Sequence, residues 1–518
     1  MMLALDASVL ERFRAVLAAR FGLNFEDTRL ASLVEVLNAR LSATELDAFS
    51  YVEGLEHAPS PGELDALARA LTIGETYFFR HSQQFDALRA IVSTRFVGSN
   101  RAAPRMLSAG CASGEEPYSL AILLREMLPD REPSIVAVDL NSAALERARE
   151  GRFSAWSLRE TPHLLGSRWF RQKGRDFVVD ASLKSAVSFQ RANLTVDDAN
   201  IFRRGAYDVI FCRNVLMYFT ADKCREAVAR LTRALVPGGH LFLGSAETLR
   251  GISHDYHLCH THGAFYYCQK TPGERLEPKP EAFESEIPRR PTLPDSERSE
   301  DPGDWVGVIG RAAARVHALA TPSSDAGARR AGPERVALLY GETLRRSAIM
   351  NRSDLSVPLE LLYKEQFSEA LTLLRQLPAH AASDPDALLL EAVLLSSQGS
   401  FEQAALACQR LLGIDELNAG AHYVLGLCGA GTGRLEEAAY HDRIATYLDP
   451  EFAMPRLHLG LMLRRSGDRS AARLELTHAR SLLEREDPAR LALFGGGFGR
   501  SALLELCRAE LTFAGGEP

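Results

Sequence analysis

The stretch Met106-Leu107-Ser108-Ala109-Gly110-Cys111-Ala112-Ser113-Gly114-Glu115-Glu116-Pro117-Tyr118-Ser119-Leu120 decides the fold class. Its apolar lead reads as the end of a strand, and the small residues after it make a tight turn. Glu115-Glu116-Pro117 then opens a helix, because carboxylates suit the positive amino end and proline loses nothing in a first turn. Strand, small-residue turn and helix form the nucleotide-cradling corner of a doubly wound α/β domain. Gly110 and Gly114 alone carry little. The two glutamates add chemistry, since they set anions where a dinucleotide pyrophosphate would be repelled. A cationic, amine-bearing ligand such as S-adenosylmethionine would be held there.

Working outward, strand patterns fall at 105–108, 134–139, 187–189, 207–212 and 240–244, with a final pair around Phe265-Tyr266-Tyr267. Helical patterns fall between them at 117–128, 142–150 and 221–235. This alternation predicts a mostly parallel sheet covered on both faces, over about residues 86–270. Residues 1–85 carry only helical spacing, as in Val9, Leu10, Phe13, Val16 and Leu17, and Ser60 to Glu63 has the pattern of a capping box. Residues 271–350 are expected to be a largely disordered linker, rich in proline and charge at first, with a weak helical pattern at 306–319.

Beyond it the chain repeats. Gly399, Gly433 and Gly467 are spaced by 34, as are Ala404, Ala438 and Ala472, with Phe367 and Ala370 one period earlier. A 34-residue helix-turn-helix period resembles the tetratricopeptide repeat (TPR) over residues 351–486, followed by a helical tail at 487–518. Stacked pairs leave a groove that suits a protein partner or self-association, although a rigid spacer or dimerisation arm has the same pattern.

The chain has 518 residues, 46% hydrophobic and 25% charged, which are the proportions of a soluble globular protein of several domains. A net charge of −7 argues against nucleic acid as the main partner. No apolar run reaches the length of a membrane span, and the start Met1-Met2-Leu3-Ala4-Leu5-Asp6 lacks the basic residues of a signal peptide. The eight cysteines form no CxxC pair, so reduced cysteines, no metal site and a cytoplasmic location are expected.

Asp139 ends the apolar run 135–138, where such domains use an acid to accept hydrogen bonds from ribose hydroxyls; it could instead cap the helix at 142–150. Arg213 and Asn214 follow the strand at 207–212, and Asn193-Leu194 follows that at 187–189. Both are carboxyl-end loops where open sheets bind ligands, and an asparagine can read an adenine edge or merely cap a turn. In Thr76-Tyr77-Phe78-Phe79-Arg80 the aromatics suit a core, while Arg80 is either a surface charge or a cation reaching an anion across the domain junction.

Together these residues resemble the chemotaxis receptor methyltransferases, the CheR family. The matching pieces are Glu75–Arg80, Ala109–Ser119, Ala137–Leu140, Ala192–Leu194, Phe211–Phe219 and Leu235–Gly239, in the family's order. The resemblance implies a small all-α domain, a doubly wound α/β methyltransferase domain with a small β insertion at about 160–190 including Trp169-Phe170, and an all-α TPR solenoid. It implies S-adenosylmethionine as cofactor, contacted by Thr76, Arg80, Gly110, Glu116, Asp139, Asn193, Leu194, Arg213 and Asn214, with Tyr218 near the transferred methyl. Gly74 departs from members that carry a cofactor-binding asparagine there. The implied activity is methyl transfer to glutamates of the chemoreceptor cytoplasmic domain, with Arg80 and Tyr218 as catalytic residues. Glu116 is expected at the methionine end and Glu115 as a helix-dipole partner. A glutamate is ionised at pH 7 and can attack a sulfonium methyl with no general base. Two other readings exist. One is a TPR adaptor with a regulatory methyltransferase domain. The other is a nucleic-acid or small-molecule methyltransferase, against which Arg213-Asn214-Val215-Leu216 stands where a base-flipping enzyme has (Asp/Asn)-Pro-Pro-(Tyr/Phe).

Overall fold

A computed structural model describes residues 6–25, 29–72, 74–271, 355–364, 366–378 and 383–515. The expected linker, with its weak helix at 306–319, lies outside them apart from Thr271. The chain divides into two units, residues 1–274 and 275–518.

The first unit opens with four helices, α1 (Ala7–Phe21), α2 (Leu30–Thr44), α3 (Ala48–His57) and α4 (Pro61–Leu71). Their apolar stripes close on one another through Phe13, Leu17, Leu33, Leu37, Val52 and Leu67, all fully buried. Ser60 caps α4 by accepting from Glu63 N at 3.1 Å. The reciprocal half of the expected capping box is not made. The Glu63 carboxylate instead takes both Arg40 nitrogens (2.8 and 2.7 Å) and the Tyr51 hydroxyl (2.6 Å), because a guanidinium fork outbids a single backbone N–H.

α5 (Ser82–Arg95) spans the expected boundary at 85/86 and corrects it. Phe78, Phe79, Phe85, Leu88 and Val92 pack in the core of the following α/β layer, so the helical core ends at Leu71. The α/β layer holds β1 (Arg105–Ala109), α6 (Glu115–Met127), β2 (Ser134–Asp139), α7 (Ser142–Glu150), β3 (Arg152–Ser154), α8 (His163–Trp169), β4 (Phe170–Lys173), β5 (Asp176–Val179), α9 (Ala181–Ser185), β6 (Val187–Arg191), β7 (Tyr207–Cys212), α10 (Ala221–Ala234), β8 (Leu235–Leu243), β9 (Tyr256–Thr261) and β10 (Ala264–Gln269). The main sheet runs β6-β2-β1-β7-β8-β10-β9, parallel through β8 and antiparallel at β10 and β9. The strand order reverses at β1, which puts the open crevice at the carboxyl ends of β1, β2 and β7.

The small sheet, β3-β5-β4, occupies residues 152–179 rather than 160–190. Val187–Arg191 pairs in parallel with β2 and so belongs to the main sheet. Trp169 and Phe170 are buried against it, with Phe170 edge-on to Phe78 at 4.8 Å.

In the second unit helices pair off at 356–363 with 367–375, 385–397 with 401–412, 419–431 with 435–448, and 453–465 with 469–483. Gly399, Gly433 and Gly467 fall in the turns within pairs, and Ala404, Ala438 and Ala472 are fully buried where helices cross. The tail forms two further helices, 488–494 and 500–515, and the second packs on the 469–483 helix with Leu503, Leu506 and Cys507 buried.

Two imidazoles inside this stack make it acid-sensitive. His422 and His441 meet Nδ1 to Nδ1 at 3.0 Å, a contact in which one nitrogen must accept. Burial pushes His422 down to about 4, and burial together with His422 pushes His441 down to about 3. An unfolded histidine titrates near about 6.5, so below that pH the unfolded chain binds protons that the folded one refuses. Stability of the stack should fall by about 2 kcal/mol for His422 between pH 6.5 and pH 5. Buried Asp442, whose pKa burial raises, works in the opposite sense. Urea titrations at pH 7 and pH 5 check this; equal midpoints for the second unit would rule it out.

Candidate active site

The corner after β1 is built from two tight approaches. Gly110 has φ +80°, and a Cβ there would lie 2.3 Å from Val215 Cγ2. Gly114 has φ +96°, and its Cβ would lie 2.8 Å from Ala148 Cβ, so the amino end of α6 seats directly on α7. The Asp139 carboxylate crosses from β2 to hold this loop, accepting from Ala112 N and Asn141 N at 2.8 Å each. Asn141, not Asp139, caps α7, through Ala144 N at 3.0 Å. Asp139 is therefore free of the capping role and keeps unused lone pairs towards the crevice. Burial raises its pKa, opposed by the backbone N–H groups of Asn141, Ala112 and Leu140.

Behind the corner lies a buried ion pair. Arg213 Nε donates to Glu116 Oε2 at 2.7 Å, and Ser108 Oγ donates to Glu116 Oε1 at 2.7 Å. Arg213 Nη1 donates to Arg80 O (2.5 Å) and Gln84 Oε1 (2.9 Å), and Gln84 Nε2 donates to Leu243 O (2.7 Å). This network ties β1, α6, α5 and β7 together. Glu115 is also buried, accepting from Ser113 and Ser157 hydroxyls at 2.7 and 3.1 Å. Burial raises its pKa, and in the first turn of α6 it is held by these hydroxyls at the helix's positive end.

A cavity of about 890 Å³, open to solvent, lies over the carboxyl ends of the strands. Of the expected residues it is lined by Gly110, Asp139, Asn193, Leu194, Asn214 and Tyr218. Glu116 and Arg213 stand behind it, and Thr76 and Arg80 lie on the segment whose Gly74 reaches it. Arg80 Nη1 donates to Glu75 O at 3.3 Å and its guanidinium lies over Tyr77. The Asn193 side chain is spent on the turn: Oδ1 takes Thr195 N and Oγ1, and Nδ2 donates to Arg20 O at 2.9 Å. For this asparagine the turn-cap alternative is realised.

Sequence reasoning missed two groups. The first is the roof, made by Phe21, Leu23, Asn24, Phe25 and Arg29 of the α1–α2 turn and by Leu71 and Thr72. Asn24 N donates to Tyr218 O (2.7 Å), Thr220 N to Gly22 O (2.9 Å), and Leu23 bridges Phe219, which stitches this turn onto the Tyr218 loop. The second is Glu247, 5% exposed, whose carboxylate accepts from Asn214 N (2.6 Å), Gly244 N (2.7 Å), Val215 N (2.8 Å) and Met217 N (3.2 Å). It holds Asn214 at φ +57°, a strained value for a non-glycine residue. A buried acid just past an apolar strand was the available signal.

The cavity fits S-adenosylmethionine on this structure's own terms. Asp139 offers free acceptors to a diol, the walls are largely apolar, and no lysine or histidine stands among the described lining residues. Glu247→Gln would turn an –NH2 towards backbone N–H donors. Loss of one charge-assisted bond exceeds about 1.4 kcal/mol, so S-adenosylmethionine binding should weaken roughly tenfold or more. Unchanged affinity in calorimetry would reduce Glu247 to packing.

Fold and cavity fit an S-adenosylmethionine-dependent methyltransferase, and comparison with known sequences gives that class. The family profile described as "CheR methyltransferase, SAM binding domain" matches residues 74–265. Chemotaxis protein methyltransferase 2 of Vibrio cholerae is 36% identical over 257 residues, covering 48% of this chain and 88% of that one. The probable biofilm formation methyltransferase WspC of Pseudomonas aeruginosa is 27% identical over 468 residues, covering 89% and 96%. Among solved structures, a TPR protein of Thermus thermophilus covers 31% of this chain and 87% of its own, at 23% identity and TM-score 0.25. The chain belongs to the CheR family of chemotaxis methyltransferases. The adaptor reading is not favoured by these relatives, which are named as methyltransferases. No described helix is long and apolar enough to cross a membrane.

Proposed function

We propose that this chain is a protein-glutamate O-methyltransferase that modifies glutamate side chains on the cytoplasmic domain of chemoreceptors, working in the cytoplasm, with its repeats engaging a protein. The observation that carries this reading is a crevice lined by an acceptor carboxylate, Asp139, and an aromatic loop, Tyr218-Phe219, with no histidine, cysteine or lysine among its described lining residues. A carboxylate acceptor is ionised at neutral pH and needs no such base. Bound S-adenosylmethionine would supply a methyl already activated on a sulfonium.

The chain's part is positioning. Asp139 would take the ribose hydroxyls, Gly110 would let the ligand lie close to the backbone, and Leu194 and the Asn193 turn would flank the base. Glu116 keeps two further acceptor sites beside Arg213, and with Arg80 and Thr76 it would meet the methionine end. Tyr218 and Asn214, held by Glu247 and the α1–α2 turn, would shape the space where the acceptor arrives. That space is largely apolar, and union of an anion and a cation into neutral groups is favoured there.

The test is transfer of radiolabelled methyl to receptor-containing membranes and, in parallel, to nucleic acid. Label released by mild base as methanol from the membranes supports a carboxyl ester; stable label, or label on nucleic acid alone, refutes the proposal.

A further inference from the structure

Arg29 is a cation without an anion among the described residues. It stands at the amino end of α2, makes no side-chain cap, and lines the cavity. Its guanidinium lies 5.4 Å from the Tyr218 ring centroid and 5.3 Å from that of Phe25, and it is half-buried. Among the described residues it makes no ion pair and no hydrogen bond. Three other arginines of the helical layer are engaged by carboxylates, Arg12 by Glu56, Arg40 by Glu63 and Arg69 by Asp65, and Arg20 donates to the Glu56 carbonyl. Two aromatic faces hold the guanidinium plane, which leaves its N–H fork available. The stitch between residues 22–24 and 218–220 fixes its base against the Tyr218 loop.

A half-desolvated, unpaired guanidinium in a cavity calls for a carboxylate or phosphate, and its planar fork matches a carboxylate in two-point fashion. Two carboxylates could come here, the acceptor's and the methionine end of the cofactor. The function proposed above gives the second to the opposite side, beside Glu116, Thr76 and Arg80, where Arg213 is already spent on Glu116 and the Arg80 carbonyl. Arg29 reaches in from the roof, from a different layer of the fold.

Resting on the function proposed above, we propose that Arg29 receives the methyl-accepting carboxylate of the protein substrate, making the α1–α2 turn a specificity element of the site. One carboxylate oxygen lies against the guanidinium while the other forms the new O–C bond. The C–S bond breaks with its electron pair going to sulfur, and no proton moves. The product ester is neutral, so the ion pair to Arg29 disappears with the reaction. Arg29 thereby favours unmodified glutamate over its ester and aids release.

Arg29→Met and Arg29→Lys test this in the full chain, with receptor-containing membranes as substrate and calorimetry for S-adenosylmethionine. For Arg29→Met, kcat/KM for receptor should fall at least thirtyfold, carried mainly by KM, while the Kd for S-adenosylmethionine stays within twofold of wild type. That Kd also shows that the variant is folded. Arg29→Lys should recover part of the loss. A Kd that rises in step with the loss overturns the proposal and gives Arg29 to the cofactor's carboxylate. An unchanged kcat/KM overturns it and makes Arg29 a support for Tyr218 only. If wild type binds S-adenosylmethionine yet places no base-labile methyl on the membranes, the function itself has failed, and this inference with it.

Discussion

Replacing Arg213 by leucine is expected to destabilise the first unit by about 3–5 kcal/mol. The Arg213 and Glu116 side chains are only 3% and 9% exposed, and Glu116 would keep Ser108 as its sole described hydrogen-bond partner. An uncompensated buried charge costs more than the pair contributes. Gln84 and the Arg80 carbonyl lose a donor at the same stroke. Against a typical domain stability of about 5–15 kcal/mol, this is a large share. The double replacement Glu116→Leu with Arg213→Leu removes both charges and should recover much of the loss. Urea unfolding followed by the fluorescence of buried Trp169 would measure the cycle. A single-variant loss under about 1 kcal/mol would mean that water reaches the pair.

Asp139→Ala should weaken S-adenosylmethionine binding by about a hundredfold or more. Two charge-assisted bonds to ribose hydroxyls are worth about 1.5–3 kcal/mol each, and a factor of ten is about 1.4 kcal/mol. The same substitution releases Ala112 N and Asn141 N, so the corner loop loses its brace. Asp139→Asn separates the two effects, because the amide still accepts through one oxygen while its –NH2 opposes the other donor. Calorimetry reads both variants. An alanine variant within threefold of wild type would remove Asp139 from the ribose site.

The two effects lie on different links of the same chain of causes. Arg213 shapes the corner from behind and is felt first in folding. Asp139 faces the crevice and is felt first in binding. Arg29 lies on a third, at the roof, and should be felt in turnover of the protein substrate.

Much of this was legible in the sequence. The alternation of strands and helices gave the parallel sheet, because strands buried on both faces must be apolar throughout while the helices between them need an apolar stripe. The 34-residue spacing of Gly399, Gly433 and Gly467 gave the repeat stack, because each pair buries itself only on its neighbour. The corner at Gly110 was readable since its steps are local in the chain. The errors have physical causes too. The boundary at 85/86 failed because α5 turns its apolar face to the sheet rather than to the first four helices. The small sheet was misplaced because β3 is three residues long and carries no periodic signal.

What the sequence determined by itself was the set of local structures and the class of cofactor, since those depend on residues near one another in the chain. Partnership between distant groups was decided only by the tertiary structure. Asp139 and Asn141 both suit a helix cap, and the packing of the β1 corner gave the cap to Asn141 and the crevice to Asp139. Glu116 was expected at the ligand and is bound first to Arg213, 97 residues away. Glu247 and Arg29 carry no motif at all. One matters because four backbone N–H groups converge on it, the other because no described carboxylate does, and both facts exist only once the layers are stacked.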